Sequence, residues 1–174
     1  MRYCLGIDKA AAEAGAAVFN WFVDRFGAPM TAGGDTDFAA LEVAAAAMPR
    51  GASGVIFIPY ITGGADAVAR GSFFGVSSHT TQDHLVRAVY EALCFSARDG
   101  LAMRPQTLML TGQRINNRFW PQLFADICGV PVAMTPNITC TPDPVAAADY
   151  DGWFQLYRQT RDVYRLHAAR QVSA

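Results

Sequence analysis

Apolar residues along this chain recur in two rhythms that alternate from one end to the other. Arg2 to Asp8 (RYCLGID) reads as a strand. From Lys9 to Phe26 the period becomes helical, with Ala14, Ala17, Val18, Trp21, Phe22 and Phe26 on one face and Asp8 placed to cap it. Gly27 ends that helix. A Gly/Ala/Pro loop over Ala28 to Asp35 leads to a second helix, capped by Asp35 or Thr36, with Phe38, Leu41, Ala45 and Met48 on its face. Pro49-Arg50-Gly51 stops it. Val55 to Tyr60 (VIFIPY) is dense enough to be a fully buried strand, and Ser72 to Val76 is a further strand between glycines. Thr80 to Asp83 matches a capping box for a helix reaching about Asp99, with Leu85, Val89, Ala92 and Leu93 inward and an Asp83–Arg87 pair outside.

The most compact unit follows, Thr107 to Met134. Thr107 to Thr111 is a short strand ended by Gly112, and Asn116 or Asn117 is placed to cap a helix bearing Phe119, Trp120, Leu123, Phe124 and Ile127. Gly129 supplies a left-handed stop, and Pro131 to Met134 is the next strand. So short a strand–helix–strand unit predicts a parallel crossover, whose ligands bind at the carboxyl ends of the strands. Here that end is Thr111-Gly112-Gln113, beside the positive start of a helix, a seat for phosphate. The plainer alternative is that Gly112 is only a turn and the asparagines only caps. Thr135 to Pro142 reads as loop. Asp143-Pro144 opens a last helix striped by Tyr150, Trp153, Tyr157, Thr160, Tyr164 and His167, a docking face rather than a cofactor box. Alternating strands and helices predict an α/β layer architecture.

Composition narrows the function classes. The 174 residues are 52% hydrophobic and 17% charged, enough for one core. A net charge of -1 with no basic run argues against nucleic-acid or membrane-surface binding. No apolar stretch reaches the roughly 18 residues of a membrane span, and no signal peptide is evident. Cys4, Cys94, Cys128 and Cys140 form no CxxC pair and stand apart from the three histidines, so the expectation is no metal site, buried thiols and a reducing cytoplasm. There is no GxSxG, HExxH or GxxxxGK[ST] motif. His79 and His84 lack an acidic orienter and read as surface residues. Glu91 is either solvated or paired with Arg87, and Asp66 is an unsupported candidate base.

From Gly54 to about Pro136 these residues resemble the C-terminal domain of the FGGY family of carbohydrate kinases. Phe57-Ile58-Pro59-Tyr60 matches its buried strand, and Asp66 to Gly75 (DAVARGSFFG) its Asp-x-x-Ala-Arg-Gly-x-Phe-Phe-Gly pattern. His84 to Glu91 matches His-Leu-x-Arg-Ala-x-x-Glu. Leu110-Thr111-Gly112 and Trp120 to Asp126 match the two ends of its glycine-turn and Trp-x-Gln-x-x-Ala-Asp segment. The resemblance implies a ribonuclease-H-like, actin/hexokinase-type domain with a mixed sheet flanked by helices, occupying 1–174. Residues 1–8 are similar to the first strand of the family's N-terminal domain. It also implies ATP with Mg2+ as cofactors, phosphorylation of a sugar or polyol hydroxyl, and nucleotide contacts at Gly112, Gln113, Asn116 and Asn117.

The departures set the expected activity. Asp8 is followed by Lys9-Ala10 where the family has a Gly-Thr phosphate turn, and no catalytic aspartate is matched. A Gly-Glu-Arg-x-Pro loop is shortened to Gly63-Gly64-Ala65, and the glycine cluster becomes Gln113-Arg114-Ile115. A Gly-Ala-x-Gly-Ala helix start is absent between Cys140 and Thr141. The expectation is a kinase-lineage domain that binds nucleotide weakly, lacks most of the sugar pocket and is inactive alone. The alternatives are a self-associating, homo-oligomeric interaction module, or a small enzyme of other chemistry built on Asp66, His79 or His84.

Overall fold

The computed structural model describes residues 4–6, 9–61, 69–101, 103–110, 118–134 and 138–172. The elements run β1 (Cys4–Gly6), α1 (Lys9–Phe26), α2 (Phe38–Ala47), β2 (Ile56–Ile58), β3 (Ser72–Phe74) and α3 (Gln82–Gly100). They continue with β4 (Thr107–Leu110), α4 (Phe119–Cys128), β5 (Val132–Met134), β6 (Ile138–Cys140) and α5 (Pro144–Val172). Four strands form one sheet in the order β1-β4-β5-β6, and β2 and β3 form a second. β4 is parallel to both β1 and β5, with Leu108 opposite Val132, while β6 returns antiparallel to β5. The parallel β4–α4–β5 crossover and the α/β architecture are those the pattern predicts.

Helix α3 is the centre of the core. It carries Val86, Val89, Tyr90, Ala92, Cys94 and Phe95 as buried residues and packs against α1, α2, α4, α5 and β2. Leu85 and Leu93, expected inside, are half-buried, because a helix packed on several sides has no single inner stripe. The strand residues Ile56, Phe57 and Ile58 are all buried, and Phe57 stacks on Phe73 of β3 at 4.4 Å. Burying a side chain such as Phe57 or Ile58 contributes roughly 1.5–3 kcal/mol.

Four local expectations are corrected. The cap of α2 is Asp37, not Asp35 or Thr36. Its carboxylate accepts the Ala40 N–H at 3.0 Å, three residues on, as capping geometry requires. The box opening α3 is Thr81 with His84, not Thr80 with Asp83. The Thr81 N–H donates to His84 Nδ1 at 3.1 Å, so an imidazole does the work of the usual Glu. Arg87 pairs inward with Glu91 rather than outward with Asp83. The segment read as loop after β5 contains β6, which pairs antiparallel with β5; its pairing partner lies in another strand, so three apolar-polar positions alone did not mark it. Asp8, Asn116 and Asn117, named as caps, lie outside the described residues.

The last helix begins as expected. Pro144 occupies its first position, and Asp143 Oδ1 accepts the N–H groups of Val145 and Ala146 at 2.8 and 3.2 Å. Tyr150 and Tyr157 of the aromatic stripe are fully buried, with Phe154 and Arg161 between and beyond them, while His167 faces outward.

Candidate functional site

Because β4 and β5 are parallel, their carboxyl ends, Leu110 and Met134, open on one edge of the sheet. The segments leaving that edge are 111–117 and 135–137. Gly112, Gln113, Asn116 and Asn117 therefore lie outside the described residues, as does Asp66. What is described is the frame around them. Helix α4 starts immediately after 111–117 in the chain, and Arg118 at its N-cap gives no side-chain cap, so its positive end is left without one.

Behind this helix start stands an aromatic wall. Tyr90 of α3 meets Phe119 at 5.3 Å and Trp120 at 4.6 Å, and Phe19 of α1 meets Tyr90 at 4.6 Å and Trp120 at 5.5 Å. The Arg87 guanidinium lies 5.5 Å from the Phe119 ring. From there a buried polar network runs inward. Arg87 Nε donates to Glu91 Oε1 at 2.7 Å, one terminal nitrogen donates to the Ala45 carbonyl at 3.1 Å, and the other to the Tyr150 hydroxyl. The Tyr150 hydroxyl and the Gly51 N–H both donate to the same Glu91 oxygen, at 2.9 and 3.0 Å. Burial pushes the Glu91 carboxyl up, against the opposing pull of Arg87. The network ties α2, α3, the turn at Gly51 and α5 into one unit. The alternatives held open for Glu91 thus resolve to a buried ion pair.

The Trp-x-Gln-x-x-Ala-Asp residues do comparable work at the other side of α4. Gln122 Nε2 donates to Asp126 Oδ1 and to the Thr141 carbonyl, both at 2.8 Å, and Asp126 Oδ1 also accepts the Asp143 N–H at 2.8 Å. These bonds fasten α4 to the start of α5. Burial raises the Asp126 carboxyl, partly offset by those bonds.

Sequence reasoning missed Glu42. It is the one charged residue of α2, 8% exposed, and makes no hydrogen bond among the described residues. Burial pushes its carboxyl up to about 7, and its charge in turn helps raise the Tyr90 hydroxyl. A lone carboxylate inside FAALEVAAAA was the available signal. His79 and His84 form no acid–base set. His84 is occupied in capping α3, and His79 sits in the turn before it, its N–H donating to Ser77 Oγ at 3.2 Å. Among the described residues no three His, Cys, Asp or Glu side chains come together to hold a metal ion, so no Mg2+ ligand set is assembled there. Cys94, Cys128 and Cys140 are buried free thiols. No helix among the described residues is long and apolar enough to cross a membrane.

The described residues thus form an α/β domain in which the carboxyl ends of two parallel strands adjoin a helix start. The model for the C-terminal domain of the FGGY family of carbohydrate kinases matches residues 3–141, and the chain belongs to that family. A probable L-xylulose kinase of Haemophilus influenzae is 31% identical over 135 residues, 74% of this chain and 26% of its own length. A glycerol kinase of Parabacteroides distasonis is 40% identical over 96 residues, 49% of this chain and 19% of its own. Among solved structures, the ligand-bound xylulose kinase of Lactobacillus acidophilus superposes with a TM-score of 0.75 at 24% identity, covering 89% of this chain and 39% of that one. The fold is accordingly that of the FGGY kinases, of the actin/hexokinase type. The chain spans about a quarter of the first of these relatives' length and two-fifths of the solved structure's.

Proposed function

We propose that this chain is the nucleotide-side, C-terminal portion of a sugar or polyol kinase, and that alone it holds a nucleotide weakly without phosphorylating a sugar. The observation that carries this is the parallel β4–α4–β5 unit, in which 111–117 connects the carboxyl end of β4 to the N-terminus of α4, in a chain of the FGGY family. On this reading Gly112, Gln113, Asn116 and Asn117 contact the phosphates, with ATP as the donor and Mg2+ supplied with it. In that chemistry the enzyme positions the donor, neutralises developing charge and takes the acceptor's hydroxyl proton with an aspartate. The described carboxylates Asp99, Asp126 and Asp151 are already held in ion pairs or hydrogen bonds, and none is offered here as that base.

Titration of the chain with Mg-ATP and with ADP, followed by amide chemical shifts, tests the reading. Shifts are expected to gather at Gly112 to Asn117 and at the first turn of α4. Their absence at millimolar nucleotide overturns it. An interaction module is the second reading, favoured by the outward Leu156, Val163 and Leu166 of α5, 41%, 68% and 65% exposed. Sedimentation as a dimer would favour it.

A further inference from the structure

At the opposite end of α4 from 111–117, about 15 Å along a ten-residue helix, lies a surface pocket of about 230 Å3. It is lined by apolar Leu101, Cys128 and Phe154, by the three arginines Arg98, Arg104 and Arg158, and by one carboxylate, Asp99. Arg98 is fully committed. It donates to the Ile127 carbonyl at 2.8 Å and to Asp151, and its guanidinium covers the Phe154 ring at 4.2 Å.

The other two cations are not committed in this way. Arg104 is 60% exposed, and its nearest carboxylate, Asp151, is 3.9 Å away and already held by Arg98. Arg158 is 47% exposed and shares Asp99 with Arg161. Arg161 in turn holds Asp162 at 2.8 Å. Around the pocket four guanidiniums thus share three carboxylates, leaving one positive charge in excess among the described residues. Arg158 meets Asp99 through Nε, at 3.2 Å, and Arg104 meets Asp151 only at 3.9 Å, so in neither guanidinium is a terminal nitrogen held in a hydrogen bond among the described residues.

We propose that this pocket binds a phosphate monoester, its tetrahedral dianion between Arg104 and Arg158 and its apolar body against Leu101, Cys128 and Phe154. Two guanidiniums suit a dianion better than a singly charged carboxylate, since each supplies charge-assisted hydrogen bonds to a separate oxygen. The apolar lining distinguishes an organic ester from free phosphate, because only the ester covers apolar surface. The site is independent of the nucleotide reading, being at the other end of α4.

The test is a titration of the chain with inorganic phosphate and with phenyl phosphate, at fixed ionic strength, followed by amide and arginine side-chain chemical shifts. Shifts are expected at Leu101, Arg104 and Arg158, with phenyl phosphate binding more tightly than phosphate. Arg104→Gln and Arg158→Gln should each weaken binding about tenfold, the loss of one charge-assisted contact, with circular dichroism unchanged because both side chains are exposed. Arg25→Gln, a remote exposed charge on α1, should leave it unchanged. Shifts confined to 111–117, shifts that survive the Arg104→Gln/Arg158→Gln double variant, equal loss in Arg25→Gln, or no shift at several tens of millimolar each overturn the proposal.

Discussion

Glu42 shows how one side chain sets the chain's response to pH. Its carboxyl ordinarily titrates near 4.5 and here is pushed up to about 7 by burial. Between those values the folded chain holds a proton that the unfolded chain has released. Stability therefore falls as pH rises through that window, the reverse of a salt-bridged carboxylate. The shift corresponds to a loss on the order of 1–3 kcal/mol once partial solvent access is allowed for. Glu42→Gln keeps the shape and removes the titration. It should leave stability at pH 5 nearly unchanged and raise it at pH 8. Urea denaturation at the two pH values checks this; equal slopes with pH for the two proteins would show that Glu42 is not the group responsible. Arg87 and Glu91 are the contrasting case. They are more deeply buried than Glu42, but four hydrogen bonds from Arg87, Tyr150 and Gly51 satisfy them, so their burial is compensated by partners that Glu42 lacks among the described residues.

Among the elements, the turn at Gly51 joins the end of α2 to the middle of α5. Its backbone has φ 74°, its N–H serves Glu91, and a Cβ there would lie 2.0 Å from the Trp153 ring. Gly51→Ala combines positive-φ strain with a clash against an indole that the core holds, and should cost roughly 2–4 kcal/mol. Gly129, the stop of α4, has a similar φ of 66°, but its Cβ would meet only the mobile end of Arg104, at 3.1 Å. Gly129→Ala should cost about 1 kcal/mol. Equilibrium unfolding of the two variants separates backbone strain from steric exclusion, and equal losses would remove Trp153 from the account. The difference also shows what could be read in advance. Gly129 ends an obvious helical period, so its role was legible from spacing alone. Gly51 stops α2 legibly, but the indole that excludes a side chain there lies about a hundred residues on. The same holds more widely. The β4–α4–β5 unit and the Asp143-Pro144 start were legible because their signals are local. The inward turn of Arg87 was not, because Tyr150 and the Ala45 carbonyl come from other elements. The family motifs were legible as patterns, whereas what Arg87, Glu91, Gln122 and Asp126 do, fastening helices to one another, required their partners to be seen.

For the molecule as a whole the question is whether a domain with an intact core can perform the reaction of its family. Phosphoryl transfer to a hydroxyl needs donor and acceptor held in line, a base at the acceptor and exclusion of water between them. In the proposed reading this chain frames one side of such a site, the sheet edge at Leu110 and Met134 with the α4 start. It spans 39% of the solved xylulose kinase it superposes on, and among its described residues no three His, Cys, Asp or Glu side chains come together to hold a metal ion. Orientation of the acceptor against the donor can account for about 7–11 kcal/mol of a bimolecular barrier. A loss of half of that slows turnover roughly 400- to 10,000-fold. The purified chain should therefore show no ATP turnover that depends on added xylulose, gluconate or glycerol, even at nucleotide concentrations that shift the amides of Gly112 to Asn117. A coupled assay for ADP release, run beside the shift titration, separates the two properties. Shifts without turnover are expected of a half-site. Turnover that rises with sugar would mean that residues of this chain complete the cleft themselves, most directly through a second copy facing the first, and would overturn the proposal that the chain alone does not phosphorylate a sugar.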